Sequence, residues 1–289
     1  MKQLPHVAGL LYGTPWAILP QHHAELGMLY RNYVSGTLPI APRGLGDDDE
    51  VSSGISYQVD HASGIAVISL SGIISKRVPD MPCGPQVVDL SKLDCLLDEV
   101  CADPVIQTLI LDLNSPGGVV IGLIETCEKL REMSATQSIR LIAYTDYQMC
   151  SAAYYIAAAC DEIYCAPSSV IGSIGTYCAA LDDSRAWEME GLELILAKSG
   201  DLKAMGCPGK AWTPEERAHL QSKADAAGAE FRAWVTSRRP GVQDATMQGQ
   251  WFFAKDAPTG LLDGLYRDLP ALLADLLPQP ASGTALASI

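Results

Sequence analysis

Residues 105–118, Val-Ile-Gln-Thr-Leu-Ile-Leu-Asp-Leu-Asn-Ser-Pro-Gly-Gly, decide how the rest of the chain is read. Val105 to Asn114 is a short apolar run, Ser115-Pro-Gly-Gly118 breaks it, and residues 119–133 return to helical spacing, so the stretch predicts a buried strand feeding a helix. The same rhythm extends on both sides. Gly64-IAVISLSGII-Ser75 predicts an earlier buried strand, and residues 87–102 place Leu90, Leu93, Leu96, Leu97 and Val100 on one helical face. Ile139-RLIAYT-Asp146 predicts a third strand, Ser151-AAYYIAAA-Cys160 a short apolar helix, Glu162-IYCA-Pro167 a fourth strand and Leu192-ELILAK-Ser199 a later one. Strand and helix alternating at this spacing predict an α/β layered domain around a largely parallel sheet.

Thr213-Pro-Glu-Glu216 is a helix start with a mechanism: Thr213 as N-cap, Pro214 at the first helical position, Glu216 closing a capping box. Pro240-Gly241 ends that helix near Arg239. Residues 251–277 form a final lobe ending in an apolar helix over 269–277. Residues 1–60 read as an N-terminal arm and linker, with Pro42-Arg43-Gly44-Leu45-Gly46, the acidic run Asp47-Asp48-Asp49-Glu50 and a surface pair His22-His23. Residues 61–278 read as the core domain and 279–289 as a flexible tail of small residues. No internal repeat is present.

Composition limits the function classes. Of 289 residues, 48% are hydrophobic, enough for a full core. A net charge of −14 without basic blocks argues against nucleic acid and against anionic membrane surfaces as partners. No apolar run reaches the ~18–20 residues of a membrane span, and the N-terminus lacks the continuous apolar region of a secretory signal, so a soluble cytoplasmic protein is expected. Nine cysteines, with no Cys-x-x-Cys, read as buried reduced thiols, chiefly Cys127, Cys150, Cys160, Cys165 and Cys178. The five histidines show no ligand spacing with them, so no metal and no cofactor are expected.

Three segments carry candidate chemistry. Asn114-Ser115-Pro116-Gly117-Gly118 ends a strand, where ligands gather in α/β sheets, and its glycines leave N–H groups free to hold an oxyanion. An ordinary strand-to-helix turn would use the same residues. Ser151 stands at a helix start flanked by Ala152 and Ala153. There a serine is either an N-cap or a nucleophile whose developing charge the helix N-terminus stabilises. Lys203 lies in an apolar setting after a glycine turn; it is either a solvated lysine or, desolvated, a neutral general base. No histidine lies where a Ser/His/Asp triad would need one, since the only one after Ser151 is His219 on the outer helix. The residues therefore favour a Ser/Lys pair.

The order Asn-Ser-Pro-Gly-Gly, Ser-Ala-Ala-Tyr-Tyr-Ile-Ala, Ile-Gly-Ser-Ile-Gly, Lys-Ser-Gly-x-x-Lys resembles the signal peptide peptidase A family of serine peptidases, which includes the prohead (capsid) proteases of tailed phages. The resemblance covers roughly residues 64–275. It implies a Clp-protease/crotonase-like fold assembled into homo-oligomeric rings, Ser151 as nucleophile, Lys203 as general base, and Gly117 and Gly118 shaping the oxyanion hole, completed by Ala152. Ser173, in Ile-Gly-Ser-Ile-Gly, is a candidate for orienting the lysine amine. The implied substrate is a polypeptide, with capsid or scaffold proteins suspected and the host cytoplasm or prohead as location. Cys150, where the family more often has a small residue, is a rival nucleophile. The absent membrane anchor sets the chain nearer the phage branch than the membrane-bound peptidases. A cytoplasmic protein-degrading relative, an idle capsid or assembly component, and an acyl-CoA enzyme of the crotonase class are the alternatives.

Overall fold

The computed structural model describes residues 11–37, 54–76 and 86–277. Its elements, in chain order, are β1 (Pro15–Ile18), α1 (Pro20–Ser35), β2 (Ile55–Asp60), β3 (Ile65–Ser71), β4 (Ile73–Ser75) and β5 (Val87–Asp89). There follow α2 (Leu90–Ala102), β6 (Thr108–Asn114), β7 (Gly117–Val119), α3 (Leu123–Gln137), β8 (Arg140–Thr145), β9 (Gln148–Cys150) and α4 (Ala152–Ala157). The remainder are β10 (Glu162–Cys165), β11 (Val170–Gly172), β12 (Tyr177–Cys178), α5 (Ser184–Met189), α6 (Pro214–Arg238), β13 (Trp251–Phe253), β14 (Gly264–Leu265) and α7 (Leu269–Leu276).

The apolar runs predicted as strands build the central sheet, ordered β14-β10-β8-β6-β3-β2. Every pairing in it is parallel except β2 with β3. Such strands are covered on both faces, which is why β6 and β8 read as continuous apolar runs rather than alternating ones. Leu109, Ile110, Leu111, Leu113, Leu141, Ile142 and Ala143 are all fully buried. Two smaller sheets, β12-β1-β7-β4-β5 and β13-β11-β9, are laid over the carboxyl ends of the central strands. The observed architecture is the expected α/β one with a largely parallel sheet.

The helix signals hold where their chemistry is local. Thr213 accepts a hydrogen bond from the Glu216 N–H while the Glu216 carboxylate accepts from the Thr213 N–H, so the capping box forms as read. Glu216 is also ion-paired to Lys210, whose hydrogen bond does most to hold its carboxyl below the usual range. Thr213→Ala is expected to lower stability by about 1 kcal/mol, read as a shift in the urea midpoint at constant m-value.

Three expectations need correction. Residues 192–199 are not a strand: they carry no ladder, and Ile195 is 92% exposed. An apolar run becomes a strand only where a sheet edge accepts it, and among the described residues this segment pairs with no strand. His22-His23 is not a surface pair, because His23 is buried and its Nε2 lies 2.9 Å from the Leu11 carbonyl oxygen. Within the stretch read as an arm, Leu11, Trp16, Ala17, Ile18 and Leu19 are buried and β1 lies inside a sheet. Of the buried thiols, Cys178 is only half-buried, and all eight described cysteines are free. The Pro42–Gly46 stretch, the acidic run, Cys83 and the tail from 279 lie outside the described residues. Among the described residues no helix is long and apolar enough to cross a membrane.

Candidate active site

The site lies where two chain reversals meet at the carboxyl end of the central sheet. The first is Asn114–Gly118. Ser115, fully buried, donates its N–H to the Gln148 carbonyl (2.8 Å), accepts the Cys150 N–H on its own carbonyl (3.1 Å), and accepts the Gly117 N–H on its Oγ (3.1 Å). One serine thus splices the glycine turn to β9, the strand that delivers Ser151. Ser115 is a positioning residue that sequence reading passed over, although it stands inside the quoted motif.

The second reversal is Ser151, between β9 and α4. It adopts φ 55°, ψ −115°, a backbone conformation that costs a non-glycine residue on the order of 1–3 kcal/mol and persists only where its surroundings enforce it. The enforcement is visible. Its N–H is tied to the Gly172 carbonyl at 2.7 Å, and α4 behind it is buried at all six positions. Tyr154 donates its hydroxyl to the Leu261 carbonyl at 2.8 Å, and Tyr155 stacks on Trp234 with centroids 5.3 Å apart. The Ser151 side chain makes no capping hydrogen bond. Of the two readings of this serine, the N-cap one therefore finds no support in the geometry. Ser151 is 1% exposed, and Ala152 follows it at the helix N-terminus, where N–H groups lack helical acceptors.

Gly117 has φ 107°, and a Cβ placed on it would overlap the Ala17 carbonyl oxygen and stand 2.9 Å from the Ser151 Cβ. This close approach explains why the position is glycine. Gly118 is next along β7, paired in register with Ile74 on one side and Ala17 on the other. Because Ser115 occupies the Gly117 N–H, the glycines are not equivalent as donors.

Ser173 lies near Ser151 by strand pairing. β11 runs parallel to β9 with Gly172 opposite Cys150, so Ser173 follows one strand as Ser151 follows the other. Ser173 too has positive φ (52°) and is buried. Lys203 is in a different setting. It is exposed in the irregular segment between α5 and α6, and no hydrogen bond or ion pair joins it to Ser151. The lysines on either side are engaged, Lys198 on the Asp201 carbonyl and Lys210 on Glu216, whereas Lys203 has no such side-chain partner among the described residues.

Cys150 is buried, its thiol facing the Val170 carbonyl at 3.6 Å, and burial pushes its pKa up to about 12. At pH 8 a thiol of that pKa is thiolate in only about one molecule in 10⁴, which makes it a poor nucleophile. Cys150→Ala is expected to keep the reactivity of Ser151 within about threefold, checked by the rate of labelling with a fluorophosphonate probe. Among the described residues no group of three or more His, Cys, Asp or Glu is placed to hold a metal.

Comparison with known proteins bears on this site. Residues 134–267 match the model of peptidase family S49. The chain is 27% identical over 252 residues to capsid assembly protease C of Escherichia phage lambda, covering 82% of this chain and 56% of that protein. It is 32% identical over 127 residues to a putative signal peptide peptidase SppA of Enterococcus faecium, covering 43% and 36%. Among solved structures, a mutant of ClpP1 from Listeria monocytogenes aligns with a TM-score of 0.45 at 10% identity, over 73% of this chain and 96% of that one. The chain spans about half the length of the curated relatives it matches. The matched region runs from the end of α3 through β14, somewhat under half of the chain, and takes in Ser151, Ser173 and Lys203; over that region the chain is similar to peptidase family S49.

Proposed function

We propose that the protein is a serine endopeptidase in which Ser151 is the nucleophile and Lys203 the general base. The observation that carries this reading is the enforced turn at Ser151, which spends backbone strain to hold an uncapped hydroxyl at a helix N-terminus beside a glycine turn. Neutral Lys203 takes the hydroxyl proton, and the Ser151 oxygen attacks the scissile carbonyl. The N–H groups of Gly118 and Ala152, in the turn that Gly117 shapes, receive the oxyanion. Lys203 then returns the proton to the leaving amine, giving an acyl-enzyme that water hydrolyses. Ser173, one strand over, orients the amine.

For Lys203 to act, the segment carrying it must fold down toward Ser151. That segment and the end of α5 expose Met189, Leu192, Ile195, Leu196 and Leu202 to solvent, Met189 and Ile195 at 89% and 92%. Apolar side chains grouped this way mark a surface that a partner covers. A second copy of the chain in a ring-shaped homo-oligomer would bury them and fix Lys203 in place. The substrates best supported are capsid or scaffold polypeptides processed during phage head maturation in the host cytoplasm or prohead, since the phage lambda relative is a capsid assembly protease. The core domain over 61–278 is the catalytic unit in this reading. The test is a fluorophosphonate probe applied to the purified protein, with the modified residue mapped by mass spectrometry. Label on Ser151 supports the assignment; label elsewhere, or none in any form of the protein, overturns it.

A further inference from the structure

The strand next to the glycine turn belongs to the chain itself. β1 lies between β7 and β12 and is antiparallel to both, with Trp16 opposite Val119 and Tyr177, Ala17 opposite Gly118, and Ile18 opposite Gly117. The Leu19 N–H extends the pairing to the Pro116 carbonyl at 3.0 Å. A strand so placed runs along the backbone edge where an extended substrate would add, and main-chain pairing of that kind is how proteases and peptide-binding sheets hold extended segments. It also lies against Ser151. The position a Cβ would take on Gly117 overlaps the Ala17 carbonyl oxygen and is 3.0 Å from the Ile18 Cα and 2.9 Å from the Ser151 Cβ. In this arrangement Ser151 is 1% exposed.

The side chains of β1 alternate as a bound peptide's would. Trp16 and Ile18 face outward into a cluster with Leu11, Ile73 and Val119. Ala17 faces inward, into a recess lined by Leu123, Ile124, Tyr155 and Phe231. Beyond Leu19, α1 borders one side of an open cleft whose other side is formed by Asn114, Pro116 and Tyr147.

We propose that residues 11–37 are an internal blocker. β1 occupies the slot between β7 and β12 that takes an extended polypeptide with a small residue over the Leu123–Tyr155–Phe231 recess, and it must leave before Ser151 can react. This rests on the reading of Ser151 as nucleophile. It adds that the described arrangement is the closed state, with reactivity scaling with the fraction of molecules in which β1 is out.

Two variants of the full chain test it from opposite directions. Pro15 stands opposite Cys178 in the β1–β12 register, and facing residues of antiparallel strands have Cα atoms about 4.5–5.5 Å apart, within the span of a disulfide. Pro15→Cys therefore allows β1 to be locked in its slot by oxidation and released by dithiothreitol. Ala17→Glu sets a carboxylate against the apolar recess and drives β1 out. With fluorophosphonate labelling of Ser151 as the readout, oxidised Pro15→Cys is expected to react about tenfold or more slowly than its reduced form, and Ala17→Glu about tenfold or more faster than wild type. Equal rates in the locked and released forms overturn the proposal, as does failure of the introduced thiol to cross-link to Cys178, mapped by peptide mass. Should Ala17→Glu fail to fold by circular dichroism, the oxidised and reduced forms of Pro15→Cys decide alone. Label that persists in Ser151→Ala, or is absent from every form, strikes the nucleophile assignment instead.

Discussion

Ser151→Ala is expected to lower peptide hydrolysis by about 10⁴-fold or more and to abolish fluorophosphonate labelling, while leaving the urea midpoint near that of wild type. The size follows from what the hydroxyl does in the proposed reaction: no neighbouring group replaces it, since the Cys150 thiol one residue away is buried with a pKa of about 12. The unchanged stability follows from the geometry, because the Ser151 side chain makes no capping bond to lose. Lys203→Ala is expected to lower hydrolysis by a comparable factor, and the double variant no further, as residues acting as one unit are not additive. Lys203→Arg is expected to be as slow as Lys203→Ala, since a guanidinium stays charged and cannot accept the serine proton. Wild-type hydrolysis in Ser151→Ala would sink the mechanism, and a protein in which neither substitution matters would fit the idle capsid component.

Much of this site was legible in the sequence because its signals are local. The glycine turn after β6, the serine at the start of α4 and the capping box at Thr213 are each set by a few adjacent residues with restricted backbone or hydrogen-bonding options. β6 and β8 were legible because buried parallel strands read as unbroken apolar runs. What was not legible depends on which segment pairs with which. Pro15-Trp-Ala-Ile18 is too short to declare itself a strand, and it stands among scattered apolar residues ahead of the Pro42–Gly46 stretch and the acidic run. Its place between β7 and β12 is fixed by partners a hundred and more residues away. Residues 192–199 have a stronger strand pattern than β1 yet pair with nothing. Leu192, Ile195 and Leu196 are exposed to solvent in the single chain. Ser115 was read as part of a turn, but its importance comes from Gln148 and Cys150 on another strand.

Gly117→Ala should produce the second large effect, on stability and reactivity together. At φ 107° a side chain is strained in any surroundings, and here the added methyl would also overlap the Ala17 carbonyl oxygen and press on Ser151. The expected loss is about 3 kcal/mol or more in urea unfolding, together with a fall of about 10²–10³ in probe labelling as the donors around the oxyanion shift. Gly191→Ala is the internal control: its φ is also positive, at 72°, but a Cβ there meets nothing within 4 Å. It should cost only the backbone strain, about 1 kcal/mol, and leave labelling unchanged. A Gly117→Ala protein no worse than Gly191→Ala would mean that β1 and Ser151 do not crowd this glycine in solution. Combining Gly117→Ala with Ala17→Glu separates the two sources of crowding. Driving β1 away removes the overlap with Ala17 but not the backbone strain or the contact with Ser151. Labelling in the double variant should therefore stay well below that of Ala17→Glu alone, because the turn itself, rather than the strand lying on it, sets where the oxyanion donors point.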